Sequence, residues 1–82
     1  MFGFPRKYDV VEGIVVAAGG GGHVRVKPMP HRWSAYPTFE IRRRLTAGLG
    51  LQRGELVRMR VAIGATRVWV SRIERMFGDA AN

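Results

Sequence analysis

The chain is 82 residues long, enough for one domain with a single core, and a domain of that size buries only about 60% of the surface its unfolded chain exposes. Fourteen Lys and Arg stand against six Asp and Glu, a formal charge of +8, which favours a polyanionic partner through counterion release and electrostatic steering. The absence of cysteine excludes disulfides and thiolate metal sites, so apolar packing, with or without self-association, must supply the stability.

Arg6 and Lys7 precede an apolar stretch, but Asp9 and Glu12 cut it and positions 19–22 are all glycine. The segment therefore reads as neither a signal peptide nor a spanning helix, and the expectation is a cytoplasmic protein without membrane contact. Residues 1–8 and 79–82 read as flexible ends of a single domain covering 1–82.

Two-residue alternation of Val and Ile, punctuated by Gly and Pro, predicts five strands. In the first, 10–18, Glu12 and Gly13 interrupt an apolar run, and the glycine marks a bend or bulge. The glycines at 19–22 then form a hairpin tip. No Lys-Ser or Lys-Thr follows them and no helix opens there, which argues against a nucleotide-binding loop. The second strand, 23–27, points Val24 and Val26 one way and His23, Arg25 and Lys27 the other, until Pro28 and Pro30 stop it. A loop over 29–38 carries Arg32, Trp33, Tyr36 and Pro37.

The third strand, 39–45, sets Phe39, Ile41 and Leu45 against Glu40, Arg42 and Arg44. Arg43 falls on its apolar face and is expected near a rim, where the head group reaches water. Three glycines within 46–55 leave room for one helical turn at most, around 49–53. The fourth strand, 56–63, turns Val57, Met59, Val61 and Ile63 inward and Arg58 and Arg60 outward. After a turn at 64–66, the fifth, 67–71, has Val68 and Val70 inward and Trp69 on the polar face. Ser71 and Glu74 stand at capping-box spacing, and Ile73, Met76 and Phe77 share a helical face, which suggests a short C-terminal helix. The competing reading carries strand five on to Ile73 and leaves 74–82 as a tail.

Five short strands and no long helix predict an all-β fold, a small closed or nearly closed barrel of OB-like or SH3-like type. The longest non-strand segment before the C-terminus lies between strands three and four, where an OB-fold carries its reduced helix, and this favours the OB-like form. Glu12-Gly13-Ile14-Val15-Val16, then Val24-Arg25-Val26, then Leu51-Gln52-Arg53-Gly54-Glu55-Leu56-Val57-Arg58-Met59-Arg60-Val61 resemble bacterial translation initiation factor 1 and related OB domains of ribosomal proteins. The segment after strand three, the longer loop at 29–38 and the glycines at 19–22 depart from that family. The resemblance implies the fold rather than a role in translation, and small single-stranded-DNA-binding proteins of phages and plasmids fit the same pattern.

If strands two and three form the binding face, as in OB domains, Arg25, Lys27, Arg42 and Arg44 converge into a groove that tracks phosphates. Arg58, Arg60, Arg67 and Trp69 extend the outward set, and Glu40 alone answers it, whereas a merely solvated face interleaves both signs. Arg32, Trp33 and Tyr36 suit a loop that stacks on unpaired bases, although loop aromatics also serve as lids over a core. Trp69 among arginines suits base stacking or a protein interface.

No catalytic residue, metal ligand or cofactor site is expected. His23 and His31 have no partner at ligand spacing, and Ser34 has no base. The expected function is binding of single-stranded RNA or DNA with little sequence specificity. Alternatives are an SH3-like barrel on duplex DNA and a protein-protein interaction module of a phage, plasmid or ribosome-associated assembly. A homo-oligomer formed through an open sheet edge is compatible with each.

Overall fold

A computed structural model describes residues 4–19 and 21–77. It contains five strands, β1 (Lys7–Ala18), β2 (Val24–Pro28), β3 (Phe39–Ile41), β4 (Leu56–Ile63) and β5 (Val68–Arg75), with one 3-10 turn at His31–Trp33 and a one-turn helix α1 (Arg43–Thr46). All pairings are antiparallel, in the order β3-β2-β1-β4-β5, and the sheet curls into a half-barrel.

β1 is the shared strand. It pairs with β4 from Lys7↔Ile63 to Ile14↔Leu56, and its other edge pairs with β2 from Gly13↔Pro28 to Ala18↔Val24. Gly13 sits where the two ladders overlap. A Cβ at that position would lie 2.5 Å from Val26 Cγ1 and 2.8 Å from the Lys27 carbonyl oxygen, so only glycine lets β2 approach this closely. One register shift between Val15 and Ala17 bends β1 further.

The inner face encloses Val11, Val15, Val24, Val26, Phe39, Ile41, Val57, Met59, Val61, Val70 and Ile73, with Trp33 and Leu51 closing the ends. The alternation expected of β2 and β4 is present: Val24, Val26, Val57, Met59 and Val61 are buried, and Arg25, Lys27, Arg58 and Arg60 are exposed.

Several expectations need correction. The third strand ends at Ile41, and residues 43–46 form α1 instead, so Arg44 is a helix residue rather than a strand neighbour of Arg42. A continued strand would have turned Arg43 into the core. The helical turn leaves Arg42, Arg43 and Arg44 exposed and brings Leu45 and Thr46 inward, and the Thr46 hydroxyl donates to the carbonyl oxygens of Arg43 (3.0 Å) and Gly22 (3.4 Å). The helical turn expected around 49–53 therefore falls earlier in the chain.

At the other end, β5 runs to Arg75 where a C-terminal helix was one expectation. Pairing of Ile73 with Met59 buries Ile73 in the core, which a helix from Ser71 would give up. The strand also outlasts the competing reading by two residues. Finally, Lys7 and Tyr8, expected in a flexible end, pair with Ile63 and Ala62. Residues 79–82 lie outside the described residues.

The substitution Gly13→Ala should lower unfolding free energy by about 1–3 kcal/mol, the usual cost of forcing a side chain into a filled site. Chemical denaturation would show a lower midpoint at an unchanged slope.

Candidate nucleic-acid interface

The loop that follows β2 is clasped to the start of β1 by one carboxylate. Asp9 accepts hydrogen bonds from Trp33 Nε1 (2.6 Å), from Arg32 Nε (2.9 Å) and from Arg32 Nη2 (3.1 Å). Arg32 Nη2 also donates to the Val10 carbonyl oxygen at 3.1 Å. The Arg32 hydrogen bond, then that of Trp33, hold the Asp9 carboxyl below its ordinary range. Trp33 is only 7% exposed and meets Phe39 edge to face, with ring centroids 5.6 Å apart. Of the two uses open to this loop tryptophan, the structure shows the lid, and Arg32 is committed to the clasp.

Tyr36 is different. It stacks on Phe39 with centroids 5.5 Å apart and planes 13° from parallel, yet remains 40% exposed. With Thr38, Phe39, Glu40 and Arg42 it forms one wall of a cleft of about 250 Å³, and Val68, Trp69 and Val70 form the other. This cleft is the seam between the sheet's two end strands. Trp69 is half-buried there because Gly64 makes room for it: a Cβ on Gly64 would lie 3.1 Å from the indole Cζ3. The Arg67 guanidinium covers the indole, 4.8 Å from its centroid.

The sequence-derived site thus separates into groups. Tyr36, Arg42 and Trp69, with Arg67 on the indole, come together at the seam. Arg25 and Lys27 lie on the exposed face of β2, with Arg25 in register opposite Glu40. Lys27 and Tyr36 also border a hollow lined by Pro28, Met29, Pro30 and Pro37. Arg44 is exposed on α1.

Arg58 does not belong to an unanswered positive set. Its Nη1 lies 3.3 Å from Glu74 and its Nη2 4.0 Å from Glu12, the residues in register on β5 and β1. Glu40 is therefore not the only acid among the outward cations, a fact that depends on strand pairing. Arg75, tied to Glu55 at 2.6 Å and to the Leu49 carbonyl oxygen at 2.6 Å, serves to hold the 49–55 loop, and Glu55 is held below its ordinary range first by that arginine.

Beyond Arg32, Arg58 and Arg75, the other eleven Lys and Arg have no carboxylate within 4.0 Å among the described residues. Two surface residues that the linear reading left out are Tyr8 and Arg72. The Arg60 guanidinium lies 3.9 Å from the Tyr8 ring centroid, and Arg72 stands opposite Arg60. On sequence alone Tyr8 belongs to an end, and Arg72 lies past strand five as read over 67–71 and inside only its competing extension to Ile73.

No group of three or more His, Asp or Glu is placed to hold a metal ion among the described residues, and none of their helices is long and apolar enough to cross a membrane. Comparison with protein-family models, curated proteins and solved structures returns no match.

The Asp9 clasp has a pH signature. Because the folded-state pKa is lowered, its contribution is complete above the ordinary Asp value and is lost as pH falls through the lowered value. The variant Asp9→Asn should melt below the parent at neutral pH, and the gap should narrow as the solution is acidified through that range. Thermal melts from pH 7 to pH 2 would measure both.

Proposed function

We propose that the chain binds single-stranded nucleic acid, RNA or DNA, with little sequence specificity, as a small OB-like barrel. The observation that carries this reading is the seam between β3 and β5, where the exposed Tyr36 and the half-buried Trp69 face one another beside Arg42, with Arg67 over the indole. Flat rings at the mouth of a cleft offer stacking surfaces that every base can use, and the neighbouring guanidiniums supply phosphate contacts. Arg25 and Lys27 on β2, with Arg43 and Arg44 on α1, extend the positive surface away from the seam.

The charge imbalance supports the same reading. Eleven cations with no carboxylate within 4.0 Å among the described residues of so small a domain repel one another, and a polyanion relieves that repulsion while releasing its own counterions. An aromatic cleft without paired carboxylates, a nucleophile and base, or a metal cluster among the described residues suits binding better than catalysis.

A second reading, a protein interaction module or homo-oligomer, draws on one observation. β3 and β5 are the ends of the sheet, so each presents a backbone edge that another strand can pair with. The experiment separates the two readings. Fluorescence anisotropy of labelled single-stranded DNA, single-stranded RNA and duplex DNA would be measured across a salt series.

Single strands should bind more tightly than duplex, with affinity falling steeply with salt. Trp69→Ala should weaken binding by about 1–3 kcal/mol, the worth of one base stack. Arg42→Ala combined with Arg44→Ala should flatten the salt slope by about one for each arginine that touches a phosphate. Circular dichroism would confirm that both variants remain folded. Failure of all three nucleic acids to bind near physiological salt would remove the nucleic-acid reading, and a preference for duplex would favour the SH3-like alternative.

A further inference from the structure

The registers of β1, β4 and β5 stack residues into three cross-strand rows: Glu12–Arg58–Glu74, Val10–Arg60–Arg72 and Tyr8–Ala62–Trp69, of which only the last reaches the seam. The first row neutralises itself, since Arg58 is shared by the two glutamates. The second does not. Arg60 and Arg72 are exposed and directly opposed, their third member is the 56% exposed Val10, and neither arginine has a carboxylate within 4.0 Å among the described residues. Like charges facing one another across a ladder are destabilising, so the fold carries this pair at a cost.

The pairing also depends on a local irregularity. Val61 pairs with Val70 and Arg60 with Arg72, which leaves Ser71 as an extra residue in β5, its hydroxyl donating to the Arg60 carbonyl oxygen at 3.1 Å. Strict alternation from the buried Val70 would have turned Arg72 inward and Ile73 outward. The bulge reverses both, and bulges commonly re-aim side chains at functional surfaces. Burial of Ile73 accounts for the bulge, but not for an arginine at 72. A glutamate there would bury Ile73 equally well and would neutralise Arg60.

The Arg60 guanidinium rests over the Tyr8 ring, 3.9 Å from its centroid. Arg60 and Arg72 both line a hollow of about 250 Å³, together with Val10, Arg58, Met59 and Glu74, the last held by Arg58. We propose that Arg60 and Arg72 form a two-armed phosphate site on the outer face of β4 and β5. Both arginines line this hollow, and a guanidinium fork matches the geometry of phosphate oxygens, so an anion seated there can be met from β4 and from β5.

The phosphate can come from a nucleic-acid backbone or from a free phosphate. The first source rests on the function proposed above. Trp69 and Arg72 are three residues apart on β5, about 10 Å of strand, so a chain leaving the seam reaches Arg72 directly.

The test is an NMR titration that follows arginine Nε–Hε and indole N–H signals with three probes. These are a short single-stranded oligonucleotide, an abasic sugar-phosphate oligomer of equal length, and inorganic phosphate. Arg60 and Arg72 signals should move with both oligomers. Arg72→Gln should flatten the salt slope of oligonucleotide binding by about one. Arg72→Glu should raise the melting temperature and weaken binding further, a combination that a purely structural arginine would not give.

If the oligonucleotide moves Trp69 and Arg42 but leaves Arg60 and Arg72 unchanged, the two-armed site is overturned and the proposed function stands. If no oligomer binds while inorganic phosphate shifts both arginines, the proposed function fails and the site stands as one for free phosphate. If none of the probes shifts Arg60 or Arg72, the site is refuted.

Discussion

β1 gives one edge to β2 and the other to β4, and for its middle residues both edges are in use at once. A strand in that position has to bend strongly while keeping its hydrogen bonds, and the bend is possible because Gly13 carries no side chain where Val26 and the Lys27 carbonyl press against it. The registers of the strands on either side follow from that arrangement. β2 inherits its register from β1 and passes it to β3, so Arg25 faces Glu40. β4 inherits from the other edge and passes its register to β5, so Arg58 meets Glu74 and Arg60 meets Arg72.

Charge is distributed unevenly over this frame. Asp9, Glu12, Glu55 and Glu74 all hold arginines, at points where a loop is clasped or a ladder braced. They are structural carboxylates, and once they are assigned little negative charge remains to moderate the rest of the surface. Cations with no carboxylate within 4.0 Å among the described residues include those of β2 and α1, Arg67 between β4 and β5, and the Arg60–Arg72 row. Tyr36 and Trp69 line the seam, Tyr8 adds a ring beneath Arg60, and Phe4 and Phe77 are exposed elsewhere.

Much of the fold was legible because a half-buried strand writes its geometry in a two-residue period. Val24 and Val26, or Val57, Met59 and Val61, could have only one inner face. Residues 43–46 were harder, since their pattern fits a strand apart from one arginine, and the cost of burying Arg43 became decisive only once the core was closed. β5 escaped for a related reason. A bulge at Ser71 breaks the period, so Ile73 looked like part of a helical face and Arg72 had no assigned direction. The site was legible by residue type and not by grouping: Trp33 and Tyr36 are three apart in one aromatic loop, yet the Asp9 clasp sends Trp33 into the core while Tyr36 stays on the surface. Ion pairing across strands, such as Glu12 with Arg58, is invisible until registers are known.

The seam has a dynamic consequence. Because β3 and β5 are the ends of the sheet rather than neighbours in it, the distance between the cleft's walls is governed by side-chain packing and by the coil of the sheet, and no ladder fixes it. Such a boundary opens at lower free energy than the β1–β4 ladder, without unfolding the rest of the domain. The width of the cleft is therefore a breathing coordinate of the fold. A ligand seated in the cleft would damp that motion, with an entropic cost falling on the two end strands rather than on the centre of the sheet.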